Sequence, residues 1–253
     1  MMNFPQWHDE ENTFYRGIQL MFGQCDANHA MSLEQLFLVT SDSAVEDFAQ
    51  RGFTWKFLSD NNVAILLSRA SFHINRMPVA NESLFIETRE EPPEGIQLFR
   101  SYNIYEYKDE KKGELLVSGR SSWLVVNPTT RRIIPAKQFT LREAPTRKTE
   151  FIGIPCGKIT AENYLLTQEK KVWFSDIDGN GHVNNSRYGA FVRDILPQEY
   201  RTKPFKDIRI NYSKEAVLDD VITMNLSADE SGNKLCVIGK VGDSNCFECE
   251  LYF

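Results

Sequence analysis

Hydrophobic positions along the chain change period twice, each time in the same order. Between 32 and about 50, Leu33, Leu36, Phe37, Thr40, Ala44 and Phe48 recur at helical spacing and predict one long helix with a buried stripe. Ser32 is placed to cap it and Gly52 to end it. Strand-like runs follow at 63–72, 83–90, 96–107 and 115–126, with a charged hairpin tip at 108–113 and a turn at Asn127-Pro128-Thr129-Thr130. An earlier run at 14–22 also reads as a strand, whereas 1–12 is polar and expected to be loose.

Residues 136–160 hold Pro145 and Pro155 among many polar residues, and read as a linker. The plan then repeats. A strand is expected at 170–174 and a helix at about 184–194. Tyr188, Phe191, Val192 and Ile195 form the helix's apolar stripe, and Pro197 marks its end. Strands at 208–212, 217–226, 235–241 and 246–253 complete the second half. Asp26-x-Asn28 and Asp178-x-Asn180 stand 152 residues apart, and each precedes a helix and then about four strands. The expected class is α+β: each half is a long helix against a twisted antiparallel sheet, and the two sheets can join edge to edge within one chain. The expected units are 1–135, the linker 136–160, and 161–253.

The 253 residues are 42% hydrophobic and 25% charged, an ordinary soluble composition. A formal net charge of −6 gives no global basic field, so nucleic acid is not expected as a partner. Five cysteines form no framework, as expected of reduced thiols. Cys246-Phe-Glu-Cys249 is a lone pair inside a strand-like run, which favours two strand cysteines over a metal or redox site. No apolar run approaches a membrane span, and the N-terminus resembles neither a signal nor a transit peptide. The expectation is a cytoplasmic protein without stable membrane insertion.

Candidate chemistry gathers in one run, from Asp176 through Asp178, Asn180 and His182 to Asn185, before the second helix. If extended, it presents Asp178, Asn180 and His182 on one face. Gly179 and Gly181 permit turns and close approach of a ligand. A helix start favours developing negative charge. The plainer alternative is a cap and turn, the usual use of Asp, Asn and Gly before a helix. The first half has Ala30 two residues after Asn28, with His29 displaced by one, so it lacks the constellation.

Asp178-Gly-Asn180-Gly-His182-Val-Asn-Asn-x-x-Tyr188 resembles the D-x-N-x-H-V-N-N-x-x-Y motif of acyl-acyl carrier protein thioesterases. Trp123-Leu-Val-Val-Asn127-Pro-Thr-Thr130-Arg131-Arg132 is similar to that family's W-x-x-x-N-x-x-T-R-R stretch. The region 69–78 resembles its first-half strand, and Tyr212-Ser-Lys-Glu215-Ala216 its Y-R-R-E-C. The likeness spans roughly 13–250. It implies a tandem double hotdog, with a first half that shapes the acyl pocket and a second half that carries the site.

The resemblance implies hydrolysis of fatty acyl-acyl carrier protein, ending fatty acid synthesis, with no cofactor or metal. The carried-over site residues are Asp178, Asn180, His182 and Glu215. Glu215 would activate water or attack the carbonyl itself, Asn180 and His182 would orient the reactants, and Asp178 would fix their orientation. Ala216 replaces the family's frequent cysteine, which removes a thiol nucleophile there. Backbone N–H groups near Val183 and Asn184 are positional candidates for the oxyanion site.

Each of these residues also has a plain use: a solvated glutamate, a turn aspartate, a structural histidine. His8, His29 and His73 have nothing convergent around them. Trp55, Phe57 and Phe72 could line an acyl pocket or belong to the core. Arg131, Arg132, Lys137, Arg142, Arg147 and Lys148 could steer an acidic carrier protein or be a solvated turn and linker. An acyl-CoA thioesterase and a non-catalytic acyl-thioester binding module are the rival functions, while a hotdog hydratase would ask for a different Asp/His arrangement. The fused repeat leaves monomer or homodimer open.

Overall fold

The computed structural model describes residues 5–253. The first half contains β1 (Gln6–His8), β2 (Phe14–Gln19), α1 (Leu33–Gln50), α2 (Trp55–Asp60), β3 (Ala64–Ile74), β4 (Ser83–Glu94), β5 (Gln97–Lys108), β6 (Lys111–Asn127) and β7 (Arg132–Ile134). The second half contains β8 (Leu166–Lys171), α3 (Arg187–Ile195), α4 (Gln198–Arg201), β9 (Asp207–Tyr212), β10 (Val221–Ala228), β11 (Lys234–Val241) and β12 (Ser244–Tyr252). Between them, residues 140–165 carry no helix or strand.

All strands belong to one antiparallel sheet in the order β1-β2-β4-β5-β6-β3-β9-β12-β11-β10-β8, with β7 paired to β6. The halves meet where β3 pairs β9, from Arg69 opposite Asn211 to His73 opposite Asp207. One sheet thus wraps two helices, the tandem double hotdog. The helices touch at Gly189 of α3, where a Cβ would stand 2.8 Å from Glu34 N at the start of α1. That approach is open only to glycine. Arg187 reinforces it, reaching Glu34 at 2.6 Å and Asp176 at 2.9 Å.

Helix α1 follows its pattern. The Gln35 N–H donates to Ser32 Oγ, and Gly52 exits at φ +92°. Its stripe also buries Asp47, which accepts hydrogen bonds from Arg51 and Arg100. Three local expectations change. Residues 6–8 are not loose but pair with β2. Helices α2 and α4 form where no long stripe announces them, and Thr54 caps α2 by accepting the Phe57 N–H. The strand expected at 170–174 ends at Lys171, and Phe174–Asp176 is a 3-10 turn. Buried Asp176 causes this by accepting from the Trp173 N–H, Lys170 and Arg187.

The segment after β7 lies over the outer face of the sheet. Ser71 donates to Ile154 O, Asn211 to Gly157 O, and Arg89 to Thr149 Oγ1. Much of the basic stretch is used internally here. Arg142 pairs with Glu90, Arg147 with Glu11, and Lys148 with Glu94. Arg131, Arg132 and Lys137 stay exposed.

Candidate active site

The polar run is a closed turn and not an extended strand. The Asp178 N–H donates to His182 O at 2.8 Å, and the Gly181 N–H to Asp178 O at 3.0 Å. Gly181 has φ +81°, a conformation that glycine takes without strain. Asp178 Oδ1 accepts the Asn180 N–H at 2.8 Å. Asp178 is therefore a turn residue, as the plainer alternative held, and it does not line the cavity described below. What it does is hold the turn that presents Asn180 and His182.

The expected oxyanion donors are spent. The Val183 N–H donates to Ala216 O at 2.8 Å, and the Asn184 N–H to Asp176 O at 2.9 Å. Regular α3 begins only at Arg187, so Val183 and Asn184 lie before its first turn. These bonds instead fasten the second site loop. Ser213 and Lys214 N–H groups donate to Cys246 O and Asn245 O, and the Val217 N–H donates to Asp220 Oδ2. Tyr188 lies beneath, its hydroxyl hydrogen-bonded by the Ala216 backbone. Burial raises its pKa.

Glu215 Oε2 consequently stands 3.7 Å from His182 Nε2, with side-chain exposures of 51% and 36%. Asn180, His182 and Glu215 form one wall of a cavity of about 770 Å³. The other walls come from the first half: Ala44 and Phe48 of α1, Trp55 and Leu58 of α2, Val63–Leu66, Leu98, Trp123, and Asn127 with Arg131. Two polar loops thus meet at a largely apolar chamber of ligand size. Among the described residues, no group of three or more His, Cys, Asp or Glu is placed to hold a metal. All five cysteines are free, and Cys246 and Cys249 are buried in β12.

The first half repeats the turn bond for bond. The Asp26 N–H donates to Ala30 O, the His29 N–H to Asp26 O, the Asn28 N–H to Asp26 Oδ1, and the Met31 N–H to Pro78 O. Ala30 thus occupies the place of His182, and Met77 that of Glu215. This turn docks onto the second half instead: Asn28 Nδ2 donates to Arg201 O at 3.1 Å, and Asp26 lies 3.5 Å from Arg193.

Two sequence patterns in this chain match known family models. Residues 11–139 match the Acyl-ACP thioesterase N-terminal domain, and residues 160–246 match the Acyl-ACP thioesterase C-terminal domain. The chain belongs to the acyl-ACP thioesterase family. It is 23% identical over 224 residues to the chloroplastic acyl-[acyl-carrier-protein] hydrolase FATB3 of Cuphea viscosissima, a match covering 83% of this chain and 49% of that one. It is 27% identical over 154 residues to the chloroplastic oleoyl-acyl carrier protein thioesterase 2 of Arabidopsis thaliana, covering 54% of this chain and 40% of that one. It spans at most about half the length of these plant relatives. Its fold is similar to an acyl-ACP thioesterase from Bacteroides thetaiotaomicron, with TM-score 0.84, 24% identity, and 96% and 98% of the two chains covered. It is likewise similar to the 12:0-ACP thioesterase from Umbellularia californica, with TM-score 0.79, 16% identity, and 97% and 98% covered.

Several cavity residues escaped the sequence reading. Asn127 and Arg131 lay within the quoted T-R-R stretch but were not assigned to the site. Asn127 Oδ1 accepts the N–H groups of Thr129 and Thr130, and Arg131 turns at φ +55°, which brings both to the rim. Trp55 lines the cavity, but Phe57 does not, and Phe72 is buried in the core. Glu90 and Arg100, buried charges on β4 and β5, had no local signal. His8 and His73 are structural, each 2.9 Å from an aspartate, Asp47 and Asp207.

Proposed function

We propose that this protein hydrolyses the thioester of fatty acyl-acyl carrier protein to free fatty acid and carrier protein. The observation that carries this is the meeting of Glu215, His182 and Asn180 at an apolar cavity built by the other half. The acyl chain occupies that cavity, where each buried methylene contributes about 0.8 kcal/mol. The thioester carbonyl lies at the polar wall. Glu215 takes a proton from water, or attacks the carbonyl directly, and His182 and Asn180 orient the reacting groups. Asp178 acts through the turn it closes. The required chemistry is proton transfer and charge stabilisation, both within reach of a carboxylate, an imidazole and an amide.

The carrier protein is the proposed partner. Arg131, on the cavity wall, and neighbouring Arg132 and Lys137 are exposed cations available to an acidic surface. The test is thiol release from acyl-acyl carrier proteins across a chain-length series, beside acyl-CoA at equal chain length. Faster turnover of the carrier-bound series supports the proposal. Equal or faster turnover of acyl-CoA makes it an acyl-CoA thioesterase. Saturable binding without hydrolysis makes it a binding module.

A further inference from the structure

The cavity is lined mainly by apolar side chains. Asn180, His182 and Glu215 stand at one wall with Asn127 and Arg131 at the rim, and the paired, buried Glu90 and Arg100 stand at the end away from β9. Arg100 is 2% exposed and stands in register with Ser121 of β6, which faces Ala70 of β3, which faces Ile210 of β9. Three strand steps of ~4.8 Å place Arg100 about 14 Å across the sheet from β9, the strand that leads to Glu215.

Behind this end lies a buried charge cluster. Arg100 donates to Asp47 at 2.5 Å and to Thr88 at 3.2 Å. Arg51 donates to both Asp47 and Glu90, and Arg142 to Glu90. Asp47 is 0% exposed. The ring of Phe48, on the cavity wall, lies 5.0 Å from the Arg51 guanidinium and 5.5 Å from that of Arg100. The far end is therefore held by α1, β4, β5 and the segment after β7 through bonds that an alkyl chain cannot replace. A methyl group entering the cluster would strip partners from buried charges and return nothing.

The geometry points to this cluster as the end wall of the acyl cavity: Arg100 with Asp47, braced by Glu90, Arg51 and Arg142, sets the longest chain the protein accepts. This rests on the function proposed above for the acyl occupant. Affinity rises about fourfold per methylene while the chain fills the apolar stretch, and stops rising when the chain meets the charges.

The test is binding of a homologous series of free fatty acids, read by the fluorescence of cavity residues Trp55 and Trp123, with hydrolysis of the matching acyl-acyl carrier proteins in parallel. Wild type should show a sharp upper limit in chain length. Asp47→Leu/Arg100→Met keeps the net charge of the cluster and replaces its central ion pair at the wall by apolar side chains, leaving Glu90 held by Arg51 and Arg142. It should raise the preference for chains two carbons past that limit by about fifteenfold relative to chains at the limit. Should that variant fail to fold, Ala44→Leu, which adds bulk at the same end of α1, should move the limit to shorter chains. Affinity that climbs through the series alike in wild type and variants overturns the end wall, whatever hydrolysis does. A length limit in binding with no hydrolysis leaves the wall standing and removes the function.

Discussion

Glu215→Gln separates chemistry from folding. The Glu215 side chain is 51% exposed and, among the described residues, its only ion-pair partner is His182 at 3.7 Å. An exposed pair of this kind contributes about 0–1 kcal/mol, so the melting temperature should fall by no more than ~2–4 °C in a chain of this size. A general base contributes ~10²–10⁴ in rate, equivalent to about 3–5 kcal/mol of barrier. Turnover should therefore fall at least ~100-fold in a protein that melts almost as wild type. Glu215→Asp keeps the charge but withdraws it by one methylene, and a misplacement of ~1 Å is enough to cost ~100-fold. The assay is thiol release from acyl-acyl carrier protein, beside a thermal melt by circular dichroism. Wild-type turnover by Glu215→Gln with an unchanged melt would refute Glu215 as base or nucleophile.

Further expectations concern the turn, the repeat, the contact between halves and acid stability. Asp178→Asn keeps an acceptor for the Asn180 N–H and should retain most activity, whereas Asp178→Ala should lose it; equal rates would show that the turn does not depend on that bond. Ala30→His/Met77→Glu should restore no hydrolysis to Glu215→Gln, because Asn28 is already bound to Arg201 O; recovered thiol release would contradict this. Gly189→Ala forces a Cβ against the Glu34 backbone and should cost about 1–3 kcal/mol by overpacking, seen in urea denaturation. Burial raises the Asp47 carboxyl, but Arg100 and Arg51 outweigh it and leave the pKa below the ordinary value. A depressed carboxylate contributes stability above its unfolded pKa of ~3.9, and this is lost as pH falls through the folded value. Urea midpoints should therefore drop below about pH 4, and Asp47→Asn should flatten that drop.

Much of the fold was legible because local forces decide it. Strand-like runs set off by a charged hairpin tip and an Asn-Pro turn marked the long strands, and helical spacing with Ser32 and Gly52 marked α1. The repeat was legible too, because Asp26-x-Asn28 and Asp178-x-Asn180 close the same turn with the same bonds. The short helices α2 and α4 were missed because six and four residues carry too little periodicity. The ends of strand 170–174 and of the second helix were misplaced by Asp176, whose partners Lys170 and Arg187 reach it through folded space.

For the site, the chain by itself determined the residue types and the turn that holds them. An Asp-x-Asn sequence closes its own backbone, and glycine supplies the positive φ at position 181. Only the tertiary structure decided which of those groups face a cavity. It brought Glu215 to His182 through the bond between the Val183 N–H and Ala216 O, and it spent the very N–H groups that position alone had nominated for an oxyanion. It also set a buried Arg100–Asp47 pair across from them, on strands whose alternation says nothing of what lies opposite. Backbone turns are written in neighbouring residues. A chamber between two halves exists only once β3 has paired with β9 and both helices have been covered.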